Sequence, residues 1–180
     1  MILTDQDILD KIKEGKILIS PFILNNLGSN SYDVTLNKTL ATYNDKNLDC
    51  KKDNRISYFD IPESGYLLNP GEFYLGTINE YSESSGDVVP MLEGKSSLAR
   101  LGLEIHVTAG FGDIGFKGYW TLEMTVRKPL IIYPNIPIGQ LFFITCNDNC
   151  INPYNKKPNA KYNDQPNLPV KSMMFKNFKE

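Results

Sequence analysis

Across residues 120–126 apolar and polar side chains alternate without a break, Trp120, Leu122, Met124 and Val126 on one side and Thr121, Glu123 and Thr125 on the other. Successive side chains of a strand point to opposite faces, so this period demands a sheet with one face in a core and one face wet. Residues 103–108 repeat the pattern, with Leu103, Ile105 and Val107 alternating with Glu104, His106 and Thr108, and predict a second half-buried strand. Between the two runs lie Gly110, Gly112, Gly115 and Gly118, with Asp113 as the one carboxylate among them. Glycines at that density permit tight turns and let a ligand approach the backbone closely. Elsewhere, short strand-like runs are separated by turn chemistry, most clearly Gly28-Ser29-Asn30, Asn69-Pro70-Gly71 and Pro134-Asn135. The expected fold is therefore mainly β and mostly antiparallel.

One helix is expected, at the N-terminal end. Thr4 with Asp7 three residues on forms a capping-box start, Ile8, Leu9 and Ile12 share a face, and Lys11 and Lys13 precede Gly15 as a stop. A chain of 180 residues buries one good core, so a single domain over 1–180 is expected. Residues 44–55 are polar without either period and read as an exposed loop or hairpin extension, with no function assigned. From Asn152 onward, Pro153, Pro158, Pro166 and Pro169 mix with Lys and Asn, a composition that cannot build a core alone. Residues 152–180 are expected to be a C-terminal lid or tail, disordered or ordered by a ligand.

With 19 basic and 21 acidic residues the net charge is −2, and no Lys/Arg run is dense enough to hold a nucleic acid polymer. No apolar run approaches the roughly 20 residues that span a bilayer, so no membrane partner and a cytoplasmic location are expected. Cys50, Cys146 and Cys150 form an odd set with no disulfide framework, which fits a reducing compartment and surface or packing thiols.

Several motifs narrow the chemistry. Gly94-Lys95-Ser96-Ser97 looks like the end of a phosphate-binding loop, but Val89 stands where that motif needs a glycine. What remains is a turn of backbone amides, hydroxyls and cations, with Arg100 following, suited to phosphate oxygens. Zinc deaminases need His-x-Glu and Pro-Cys-x-x-Cys; here Thr108 stands two residues after the single histidine, His106, and the close cysteines are spaced Cys146-x-x-x-Cys150. A hydrolytic deaminase built on this chain has to activate water without zinc. By itself Glu123 reads as a surface carboxylate and His106 as a hydrogen-bonded structural residue.

In order and spacing, Gly94-Lys95-Ser96-Ser97-Leu98-Ala99-Arg100-Leu101-Gly102-Leu103, His106-Val107-Thr108-Ala109-Gly110, Asp113 with Gly115-Phe116-x-Gly118, and Thr121-Leu122-Glu123 resemble the dCTP deaminase family of the dCTP deaminase/dUTPase superfamily. The likeness extends to Ser31-Tyr32-Asp33-Val34, Ile138-Gly139-Gln140-Leu141, Pro153-Tyr154 and Lys161-Tyr162. The resemblance implies a distorted dUTPase-like barrel of the β-clip type, assembled as a homotrimer with sites between subunits. It implies dCTP and related dUTP- or dTTP-type nucleotides as ligands, with Mg2+ carried on the triphosphate and no metal held by the protein. It gives Glu123 the role of general acid and base, with Ser96 and Arg100 organising it. Lys95 and Ser97 lie in the phosphate turn, and Val107, Thr108 and Ala109 in the segment that reads cytosine and holds water. Asp113 lies near the deoxyribose, and Tyr154, Lys161, Tyr162 and Gln165 close over the triphosphate. The family's glycine two residues past Gln165 is Asn167 here. The expected activity is zinc-independent hydrolysis of dCTP to dUTP and ammonia in the supply of dTTP precursors. Two alternatives stand beside it: a bifunctional enzyme giving dUMP and pyrophosphate, towards which Ala109-Gly110-Phe111 leans, and a non-catalytic nucleotide sensor on the same fold.

Overall fold

The structure is a computed structural model and describes residues 1–106 and 108–178. Helix α1 spans Asp5–Lys13 and starts as its sequence dictates: the Thr4 side chain accepts from the Asp7 N–H, and the Asp7 carboxylate accepts from the Thr4 N–H at 3.0 Å. Ile8 is its buried residue, and Gly15 at φ +69° turns the chain out of the helix.

Thirteen short strands follow among the described residues: β1 Ile17–Ser20, β2 Tyr32–Thr35, β3 Thr39–Tyr43, β4 Ile56–Asp60, β5 Tyr66–Leu68, β6 Tyr74–Thr77, β7 Tyr81–Ser84, β8 Val88–Gly94, β9 Leu103–Glu104, β10 Lys117–Gly118, β11 Thr121–Val126, β12 Leu130–Ile132 and β13 Pro137–Thr145. A one-turn helix, α2 Ser96–Ala99, sits between β8 and β9. The strands form sheets in the orders β1-β7-β10, β4-β3-β6-β11-β9, β12-β5 and β2-β13-β8, with antiparallel pairing throughout. Their inner faces meet in one buried cluster that includes Tyr32, Leu92, Leu122, Met124 and Phe143. Among the described residues no helix is long and apolar enough to cross a membrane. Cys50, Cys146 and Cys150 are exposed free thiols.

Strand β11 keeps the alternation read from its sequence, Leu122, Met124 and Val126 buried and Thr121, Glu123 and Thr125 half-buried. The expected strand over 103–108 is shorter. Pairing with β11 stops at Glu104, although Ile105 O still accepts from Glu123 N at 2.8 Å. Beyond His106 the chain crosses to β8, where Gly110 O accepts from Leu92 N at 2.9 Å and Phe111 bridges Met91. A partner strand distant in sequence captures the glycine-rich segment, which local periodicity does not encode.

Two glycines of that segment, Gly115 and Gly118, make room for the chain's own tail. A Cβ on Gly118, at φ +132°, would lie 2.5 Å from Gln165 N, and these two residues form a parallel bridge. Residues 44–55 extend the β3–β4 hairpin, as expected, with Asn44 N donating to Arg55 O at 3.0 Å. Residues 152–178 contain two short 3-10 turns, Tyr154–Lys156 and Met174–Phe178, and lie back across the sheets.

Candidate active site

A cavity of about 510 Å³ opens on the wet face of the sheet formed by β3, β6 and β11. Register places the groups: Glu123 on β11 opposes Leu75 on β6, which pairs with Ala41 on β3. Side chains two residues apart share a face, so Thr121, Glu123, Leu75, Phe73 and Tyr43 all reach the cavity from one pleated surface. The segment after β9 adds His106, Ala109 and Asp113, and the tail adds Tyr154, Tyr162, Gln165 and residues 170–172.

The chemical centre is a pair. His106 Nδ1 lies 2.6 Å from Glu123 Oε2, with the His106 side chain 4% exposed and that of Glu123 34% exposed. A neutral imidazole that donates through Nδ1 presents Nε2 as an acceptor. Here Nε2 is buried and has no hydrogen-bond partner among the described residues. The arrangement orients the carboxylate through Oε2, and its second oxygen has no hydrogen-bond partner among the described residues, so it can serve a proton-transfer partner. Nearby, Thr121 Oγ1 donates to Gln165 Oε1 at 2.9 Å and accepts from Val170 N at 3.0 Å, joining β11 to the tail.

The structure gathers Ala109, Asp113, Glu123, Tyr154, Tyr162 and Gln165 from the sequence-derived set around this cavity. Asp113 faces Lys157 at 3.9 Å, and Tyr154 Oη accepts from Tyr162 N at 2.9 Å. Lys161 is half-buried and Thr108 exposed, and neither is among the described residues that line the cavity. Val107 lies outside the described residues.

Ser96 and Arg100 are not beside Glu123 within the chain, contrary to their expected role if taken within one subunit. Ser96 and Ser97 lie in α2 and Arg100 caps its C-terminus. That turn sits at the far end of β11, where Val126 opposes Leu103 and Arg127 N donates to Gly102 O at 2.9 Å. Glu123 is three residues further along, about 10 Å at roughly 3.3 Å per residue. Lys95, at the N-cap of α2, is ion-paired with Asp33, whose other carboxylate oxygen accepts from Gln140 Nε2 at 3.0 Å. A second polar group, Ser31, Asp33, Lys95 and Gln140, thus forms across β2 and β13 beside the end of β8, and none of the four is among the described residues lining the Glu123 cavity.

Sequence reasoning missed the cavity wall made by Tyr43, Leu48 and Phe73, and missed His106 as the partner of Glu123. The wall carries no motif. The His106 contact had a usable signal, since both residues fall on the polar faces of runs read as half-buried strands.

Residues 2–146 match the profile of a family described as dCTP deaminase-like. A Hathewaya histolytica protein named "dCTP deaminase, dUMP-forming" is 44% identical over 99% of both chains. A Clostridium botulinum protein of the same name is 44% identical over the full length of both. Among solved structures, the 2'-deoxycytidine 5'-triphosphate deaminase from Agrobacterium tumefaciens superposes with a TM-score of 0.62 at 19% identity, over 81% of this chain and 48% of that one. That likeness gives the fold: mainly β, of the deaminase type, with one short N-terminal helix.

Proposed function

This chain belongs to the dCTP deaminase-like family, and from that premise we propose that it hydrolyses dCTP to dUMP, pyrophosphate and ammonia. The sequence alone favoured release of dUTP; two full-length relatives named as dUMP-forming support the bifunctional alternative instead. The observation that carries the reading is Glu123, fixed by a buried histidine at 2.6 Å in a cavity large enough for a nucleotide.

In the first step a water attacks C4 of cytosine. Glu123 takes a proton from that water and returns protons to the ring nitrogen and to the departing amine, so one carboxylate serves as base and then acid. The C4–N4 bond breaks, ammonia leaves and the base becomes uracil. A second water cleaves the bridge between the α- and β-phosphates, giving dUMP and pyrophosphate. Mg2+ enters with the triphosphate as part of the substrate and offsets its charge.

Ser96 and Arg100 take part from a neighbouring copy of the chain, in a homotrimer whose sites lie between subunits. The distance along β11 separating them from Glu123 within one chain supports this assignment. Lys95 and Ser97 then belong with the phosphates, and nucleotide phosphates compete with Asp33 for the Lys95 ammonium.

Purified protein incubated with dCTP and Mg2+ tests the proposal. Equimolar ammonia, dUMP and pyrophosphate are expected. Accumulation of dUTP to the full extent of the ammonia released would restore the deaminase-only reading, and no product at all would favour a nucleotide-binding protein without turnover.

A further inference from the structure

The β3–β4 hairpin and the last part of the tail meet repeatedly although no ladder joins them. Tyr43 Oη accepts from Ser172 N at 2.9 Å, and Tyr58 Oη donates to Pro169 O at 3.1 Å. Lys171 Nζ pairs with Asp53 Oδ1 at 2.8 Å, and Lys51 Nζ lies 5.3 Å from the centre of the Phe178 ring. Beneath them Asn37 Nδ2 donates to Asn167 Oδ1 at 2.9 Å, at the position where the family's glycine is replaced. All five contacts involve a side chain, so the segment from Asn167 onward can leave the hairpin while the Gly118–Gln165 bridge behind it stays in place.

Tyr43 connects this seam to the cavity. It closes β3, its ring stacks on Phe73 with centroids 6.4 Å apart and planes 11° from parallel, and it lines the cavity beside Leu48 and Val170. Packing holds the ring, which fixes where its hydroxyl can catch the tail. We propose that the β3–β4 hairpin is a catch for the C-terminal segment and that Tyr43 is its positioning residue, setting how firmly a bound nucleotide is enclosed.

The enclosing role rests on the nucleotide reading above, whereas the catch itself does not. Amide hydrogen exchange on the unliganded full chain therefore comes first, followed by dCTP kinetics. Tyr43→Phe keeps the ring and removes the hydroxyl, and Asp53→Lys reverses one charge outside the cavity. Either change should speed exchange across residues 170–173 by about fivefold, the worth of one net hydrogen bond or ion pair. Asp53→Lys combined with Lys171→Asp should recover slow exchange. In turnover, Asp53→Lys should raise KM for dCTP about threefold or more while kcat changes less than twofold, because enclosure is weakened and the reacting groups are untouched. Unchanged exchange in both single variants, or no recovery in the charge swap, overturns the catch. Faster exchange with an unmoved KM overturns the enclosing role. A protein without dCTP turnover whose exchange still responds supports the catch and refutes the function proposed above.

Discussion

Glu123 reaches the cavity because the pleat of β11 delivers it there, with Leu122 and Met124 on either side locked in the core. The strand fixes the backbone and His106 fixes the carboxylate. Replacing Glu123 with Gln keeps the shape and can keep an oxygen towards His106 Nδ1, but removes the group that titrates. Ammonia release from dCTP should fall by on the order of 10²-fold or more, with melting temperature and nucleotide binding close to the parent's. Turnover near the parental rate in this variant would remove Glu123 from the chemistry. A second carboxylate, Glu80, has a structural part. It is 3% exposed and accepts from Thr35 N and Thr35 Oγ1, both at 2.9 Å. Burial raises its pKa above the ordinary carboxylate value and outweighs those donors, which favour the anion. The folded state thus holds this proton more tightly than the unfolded chain. Its contribution to stability falls as pH rises from the ordinary value, about 4.3 for Glu, through the raised one, and is level above it. Glu80→Gln should therefore gain on the parent as pH increases, with a melting-temperature difference more positive at pH 8 than at pH 4. A difference constant across that range would contradict the assignment.

Among the elements, those whose cause is local were legible in the sequence. The Thr4–Asp7 box and Gly15 gave both ends of α1, and the two-residue period gave β11 and the side on which Glu123 emerges. Segment 103–108 was legible only as far as Ile105, because Leu92 and Met91 take the chain beyond it into another sheet. The same distinction divides the site. Ala109, Asp113, Tyr154, Tyr162 and Gln165 belong to motifs with recognisable spacing, whereas Tyr43, Leu48 and Phe73 arrive through sheet register and a hairpin of no distinctive composition. Residues 161–178 join the barrel by backbone only around Asp164 and Gln165, the rest bind largely through side chains, and only Phe175 among their large hydrophobics is buried. Truncation before Lys161 should leave the sheets folded, by circular dichroism and cooperative melting. It should depress dCTP turnover severely and erase much of the preference for triphosphate over monophosphate, since the tail's polar groups and enclosure go together. A truncated protein with full activity and selectivity would show that the tail is no lid.

For the whole molecule, the separation between the Glu123 cavity and the α2 turn is the fact that has to be explained. Within one chain, the residues whose spacing carries the family likeness fall into two groups, one around Glu123 within β11 and one at the α2 turn beyond its Val126 end. In the proposed trimer, closed cyclic assembly would bring the two groups together without altering either, and would account for their joint presence in so short a chain. The native mass by light scattering should then be about three times the 20.4 kDa of the chain. Complementation between defective subunits tests the shared site most directly. Glu123→Gln and Arg100→Ala proteins, each inactive alone, are mixed in equal amounts, dissociated and reassembled, and assayed for ammonia release from dCTP. Random assortment pairs an intact Glu123 with an intact Arg100 of the neighbouring copy at one site in four, so the mixture should recover about a quarter of parental activity. Mixed assemblies that form but stay as inactive as their components would contradict a site built from two copies of the chain around Glu123.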